Sequence, residues 1–296
     1  MSDATPGKKR ASKRTSGGVR ALIAVAAAAF VVLAVWLANK VPPNITHTEA
    51  MTMAATIEHA SSRAQLEALL HTDAPRLQQA QGDEAAAAIG TDPAEAIWLQ
   101  KTAGTYVFIR RREAGEGRTL LLFRCVKDDV LFDYQELRLE RQGEQPRIVD
   151  VWSMAAGGWL GNLHAERARL ENGYPRAAVE AVMDAIRGHE PPDQVAAAFR
   201  AVAEPYRSSQ RVGVQLLRTL NRRSLAVFQR GIAEYRALHR QEFTADLVVL
   251  QAAQFELKQN GKADPELIGE AREALRRIEG HTEDKDFLEP WRGQLH

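Results

Sequence analysis

Four stretches set the fold: Thr105–Arg112 (TYVFIRRR), Arg118–Val126 (RTLLLFRCV), Leu131–Glu140 (LFDYQELRLE) and Arg147–Met154 (RIVDVWSM). Each is rich in β-branched, aromatic or leucine residues and alternates with a period near two, the pattern of a strand on a pleated sheet. Glu113–Gly117, Lys127–Val130 and Arg141–Pro146 separate them. Gaps this short admit hairpins but not crossovers, so the spacing predicts a four-stranded antiparallel meander. Strict alternation puts Val107 and Ile109 on one side of the first strand, with Tyr106, Phe108, Arg110 and Arg112 on the other.

Helix signals precede the strands. Thr46-x-x-Glu49 and Ser62-x-x-Gln65 read as capping boxes. Thr91-Asp92-Pro93 puts a cap before a proline at the first helical position, with Ile97 and Trp98 following. Helices leading into an antiparallel sheet make an α+β domain with those helices on one face. After Gly157-Gly158 the chain reads as helical to its end. Helices are predicted over 175–187, 192–206 and 211–220, from Ser224, over 244–259, from Asp264-Pro265 and from Thr282, the last with a proline at 290. Loops of three to six residues imply helical hairpins. Starts near 225 and 265 suggest a period near 40, so a hairpin solenoid is favoured over a closed bundle.

Asp133-Tyr134-Gln135-Glu136-Leu137, Arg147-Ile148-Val149-Asp150-Val151 and Gly157-Gly158-Trp159-Leu160 together resemble a pattern in uncharacterised bacterial membrane-anchored proteins. Those carry a cystatin-like or nuclear-transport-factor-like α+β domain followed by tetratricopeptide-like helices. The chain departs from that pattern at Gln135, where the family often has His, and at Gly161-Asn162, where it tends to Ser-Glu. The resemblance implies a fold and an order of domains, and no activity.

Ahead of all this lies Ala21–Ala38 (ALIAVAAAAFVVLAVWLA), eighteen residues without a charged or polar side chain. As a helix it spans roughly 27 Å, close to the hydrocarbon core of a bilayer. Six of the 39 Lys and Arg and one of the 38 Asp and Glu precede it, which predicts a cytoplasmic N-terminus and an extracytoplasmic remainder. The rival reading is a cleaved signal peptide, but the run exceeds a usual signal core, and the best cleavage site, Val32-Leu33-Ala34, falls inside it. Ala24 and Ala28 form a small-xxx-small pair through which two anchors could pack as a homodimer. The expected organisation is a basic tail over 1–18, a transmembrane helix over 19–40, an α+β domain over 44–160 and a helical-hairpin domain over 161–296. Abundant Ala and Arg suggest a GC-rich bacterial source, hence an inner-membrane protein facing the periplasm.

Beyond residue 20 the balance is 33 bases against 37 acids, net −4, which argues against a nucleic-acid partner. The single cysteine, Cys125, excludes an intrachain disulfide. His47, His59 and His71 recur every twelve residues and do not share a helical face. No metal, cofactor or catalytic constellation is predicted. Asp150 stands out because alternation groups it with Ile148, Trp152 and Met154, and a carboxylate on an apolar face needs a partner. A salt bridge to a neighbouring strand is the simple explanation; a ligand site in the sheet's concavity, using Tyr134, Asp150 and Trp152, is the other. Arg218, Arg222, Arg223 and Arg230 form a basic patch that a solvated helix face explains, or an acidic partner meeting Arg222 and Arg223. The function expected is a non-enzymatic, membrane-tethered protein-binding or scaffold module. The alternative is a small-molecule-binding or enzymatic module on the sheet.

Overall fold

A computed structural model describes residues 44–70, 93–115, 118–127, 131–163, 166, 176–204, 206–220, 224–240 and 242–295. The apolar segment Ala21–Ala38 and its basic tail lie outside the described residues. Among those described, no helix is long and apolar enough to cross a membrane.

Among the described residues, three helices lead in. α1 (His47–His59) opens on the expected capping box: Thr46 Oγ1 accepts from the Glu49 amide at 3.2 Å, and Glu49 Oε2 accepts from the Thr46 amide at 2.8 Å. Ala50, Met53, Ala54 and Ile57 recur at helical spacing and are buried. α2 (Arg63–Glu67) is capped by Ser62, while Gln65 Oε1 reaches one residue further back, to the Ser61 amide. α3 (Pro93–Ala103) starts at the proline expected. Its Lys101 donates to the Ile57 and Glu58 carbonyls at 2.9 and 2.6 Å, satisfying the last turn of α1.

The sheet is antiparallel throughout, in the order β1-β2-β3-β4-β5: β1 (Thr105–Glu113), β2 (Thr119–Val126), β3 (Phe132–Gln142), β4 (Gln145–Ser153) and β5 (Gly158–Trp159). The meander holds, with a fifth strand added. Two residues are too few to show a period, so β5 leaves no pattern in the sequence. The β3–β4 hairpin zips to a two-residue loop, Gly143-Glu144, with the glycine at φ 61. Where α3 turns into β1, Gly104 passes so near β2 that a Cβ there would sit 1.9 Å from the Val126 carbonyl oxygen.

Two β-bulges correct the alternation. Ile109 is an extra residue opposite β2, because Phe108 pairs with Phe123 and Arg110 with Leu122. Tyr106 and Phe108 therefore face α1, while Arg110 and Arg112 turn to the opposite side, where alternation did not place them. The freed Phe108 amide donates to Glu58 Oε1 at 3.2 Å. Val149 is the second extra residue, between Arg138–Asp150 and Leu139–Ile148. It sends Ile148 to the α1 face and leaves Asp150 on the other side with Trp152.

Both faces are covered. Against the first, α1–α3 pack on Leu121, Phe123, Leu137, Leu139, Ile148 and Val151. Among the described residues the helices that follow are α4 (Arg176–Arg187), α5 (Pro192–Ala201), α6 (Gln210–Leu220), α7 (Leu225–Leu238), α8 (Thr244–Asn260), α9 (Pro265–Thr282) and α10 (Lys285–Gln294). They pair as α4/α5, α6/α7 and α8/α9, and consecutive pairs touch through α4–α6, α5–α7, α6–α8 and α7–α8. Leu122, Phe132, Tyr134 and Trp152 of the sheet, and Met154 just past β4, belong to the same apolar cluster as these helices. Asn44–His296 thus forms one compact unit, and the boundary expected at 160/161 crosses a shared core.

Helix ends mostly match their signals. Ser224 accepts from the Val227 amide, and Asp264 from the Glu266 amide at 2.8 Å. Thr282 differs: it closes α9 and does not open the last helix, because Glu283 adopts φ 58, the left-handed geometry that ends helices.

Candidate functional site

Tyr134, Asp150 and Trp152 are on one sheet face, but helices and loops cover them. Tyr134 is fully buried; its hydroxyl donates to Asp284 Oδ2 at 2.9 Å, beside Arg124 Nη1 at 2.6 Å from the same oxygen. Burial and the adjacent Asp284 push the Tyr134 phenol well above its usual range. Asp150 takes the salt bridge expected as the simple explanation, from Arg138 of β3 at 3.1 Å, and its other oxygen accepts from the Val151 and Gly161 amides. Burial raises its pKa, and those bonds with Arg138 oppose the shift. Trp152 packs edge-on to Phe243 at 6.5 Å and near His281 at 5.5 Å. Arg222 and Arg223 lie outside the described residues.

Beside Trp152 sits a polar cluster that no motif announces. Arg112 Nη2 reaches both Glu136 oxygens at 2.9 Å, and His281 Nε2 lies 3.5 Å from Glu136 Oε1. Arg110 crosses to Glu283 at 2.5 Å and to the His281 carbonyl. The His281 ring stacks on Phe243, centroids 4.4 Å apart. Burial, with Arg112 and Arg110 nearby, lowers the His281 pKa to about 4. The sign follows from that depression. The unfolded chain takes up the proton near pH 6.5 and the folded one only near 4, so acidification through this window removes stability. Fully expressed, the shift is worth about 3 kcal/mol. His281→Phe keeps the stacked ring and discards the proton. Urea unfolding at pH 7, 5.5 and 4 should show the variant gaining on the wild type by that amount as pH falls; a constant difference between the two would refute it.

The open feature is elsewhere. At the end of the sheet where β2 leaves and β3 begins, α3, α6 and α8 leave a cleft of about 210 Å³. Its walls include Phe132, Leu247 and Val248, with Cys125 and Asp133 from the paired strands. Gln100 of α3, Lys127, Leu131, Arg218 of α6 and Gln251 of α8 also contribute. Leu131 is 44% exposed. The walls are tied together by Thr244 Oγ1, which donates to the Met154 carbonyl at 2.7 Å, and Arg218 Nη2, which donates to the Ala155 carbonyl at 3.1 Å.

Asp133 is the buried charge of this cleft. One oxygen accepts from Ser153 Oγ at 2.8 Å and the other from the Ala155 amide at 2.8 Å. Burial raises its pKa to about 6, opposed by those two bonds, the Tyr134 amide and Arg218. Cys125, its cross-strand partner, has its thiol pushed up by burial and by Asp133, which opposes thiolate formation. Cys125 is 2% exposed. Nothing in the sequence joins Gln100, Asp133, Arg218 and Gln251, which tertiary packing alone brings together.

Fold and cleft define an α+β protein, a five-stranded antiparallel sheet between two helical layers, with a small amphipathic cleft at the sheet's end. No protein-family model matches the chain, and neither a curated protein nor a solved structure matches it significantly.

Proposed function

We propose that this protein is a non-enzymatic, membrane-tethered extracytoplasmic module that binds another protein, its paired helices serving as tetratricopeptide-like hairpins. The observation that carries the reading is the cleft. α6 and α8, the first helices of two successive pairs, line it with the sheet's end. At about 210 Å³ it is smaller than the ~300–1,000 Å³ usual for small-molecule sites, and it suits one anchoring side chain of a partner. Leu131, exposed at its edge, extends the apolar contact outward. The tether comes from Ala21–Ala38 and its basic flank, and the order of parts agrees with the resemblance to membrane-anchored bacterial proteins. The alternative, a ligand held in the sheet's concavity, has less support, since Tyr134 and Trp152 are packed against the residues that cover that face.

A reporter active only outside the cytoplasm, fused after His296, tests the location and should be active. Crosslinking in native membranes followed by purification tests binding and should recover the same partner under several growth conditions. Activity only of a cytoplasmic reporter refutes the location, and recovery of no recurrent partner refutes the binding role.

A further inference from the structure

Resting on that protein-binding reading, we propose that the cleft recognises a partner segment in which a large apolar side chain stands next to a carboxylate. Three observations carry this. The interior is apolar where Phe132, Leu247 and Val248 face it. The cations at the cleft, Lys127 and Arg218, are both exposed, and among the described residues neither has a carboxylate within ion-pair distance. Among the described residues the one acid in the wall, Asp133, is 4% exposed and has both oxygens engaged by Ser153 and Ala155, so it is not presented to an incoming cation. An apolar anchor can fill the interior while its neighbouring carboxylate meets Lys127 and Arg218 outside. Gln100 and Gln251, half-buried in the wall, carry amides suited to the segment's backbone. A basic segment meets two like charges here, and like-charge contacts are what exclude wrong partners.

The test pans a random dodecapeptide library against the full chain in detergent, then measures the selected peptides with wild type, Lys127→Glu, Lys127→Glu with Arg218→Glu, and Gln251→Trp. Selected peptides should share a large apolar residue within two positions of Asp or Glu. The double charge reversal should weaken them about tenfold, equivalent to ~1.4 kcal/mol, chiefly through slower association and a flatter salt dependence. Lys127→Glu, at an exposed position, should show part of that loss while its thermal midpoint stays unchanged. Gln251→Trp should block the cleft. Panning the double variant should turn the preference toward Lys or Arg beside the apolar residue. Peptides without an acidic preference, acidic peptides that bind all variants equally, or no enrichment would each overturn the proposal. The broader reading fails separately, by the absence of a recurrent crosslinked partner in membranes, so a partner recovered alongside failed panning rejects this recognition and retains protein binding.

Discussion

Replacing Trp291 with Ala is expected to destabilise the fold by about 3–5 kcal/mol, the usual cost of emptying a large aromatic from a core. Trp291 lies on α10, is 7% exposed, and presents its ring edge-on to Phe132 of β3 with centroids 4.8 Å apart. Phe132 in turn meets Phe287 at 5.4 Å and Tyr134 at 5.8 Å, both near perpendicular. Such pairs add something beyond the area they bury. The hole cannot close readily, because sheet and helix form its two sides. A thermal melt of the full chain in detergent should drop by roughly 10 °C. Amide exchange should lose protection in β3 and α10 together. Loss confined to α10, with β3 unchanged, would show that the sheet does not depend on the helices. Leu99→Ala is the control: Leu99 is 54% exposed and should cost no more than about 0.5 kcal/mol.

Asp246→Ala should have the next largest effect. Asp246, on α8, is 3% exposed and accepts from Arg236 of α7 at 2.8 Å and from Arg277 of α9 at 2.7 and 2.9 Å. One carboxylate thus fastens three helices. Its removal leaves two guanidinium groups facing each other with only the more distant Glu270, 3.9 Å from Arg236, to offset them, and breaking a buried pair this way costs about 3–5 kcal/mol. The arginine side chains are 33% and 44% exposed, so water offsets part of the loss, and about 2–3 kcal/mol is expected. Urea denaturation checks the figure. Arg277→Ala added to Asp246→Ala should cost less than it does alone, because the interaction is already gone. The open pair Arg187–Asp184, with side chains 57% and 71% exposed, gives the contrast: Asp184→Ala should change stability by less than about 0.5 kcal/mol.

Much of the fold was legible because it depends on local chemistry. A threonine three residues ahead of a glutamate is a local signal for a helix start, and Thr46 and Glu49 form the box there. The strands fall within about two residues of the runs that predicted them, since side chains alternate wherever one face is buried. Ile109 and Val149 defeat the same rule. Each is one residue more than its partner strand has, and only the pairing reveals it. Everything beyond a bulge then changes face, which is how Arg110 and Arg112 come to stand beside Glu136. Thr282 fits a helix start by residue type, yet the left-handed Glu283 after it closes the helix before.

The candidate site was less legible because its parts are distant in sequence. Glu136 and His281 are brought together only by α9 packing on the sheet. Asp133 sits among strand residues whose pattern gives no sign of a cleft, and Gln100 and Gln251 are ordinary helix residues until three elements meet around them. Asp150 is the counterexample. A carboxylate among apolar neighbours required a partner, and Arg138 on the adjacent strand supplies it.

The central claim, that the cleft between the sheet's end and α6 and α8 holds a protein partner, is tested most directly by a compact aliphatic diazirine residue, close to glutamine in size and so leaving the cleft open, placed at Gln251 of the full chain in native membranes. Lys262, exposed beyond the end of α8 and roughly 16 Å further along its axis, takes the same probe as control. The prediction is one discrete protein adduct from position 251, weakened when Lys127→Glu and Arg218→Glu are present, and none from position 262. Adduct formation at 262 with none at 251, or equal yields at both that ignore the charge reversal, would contradict it.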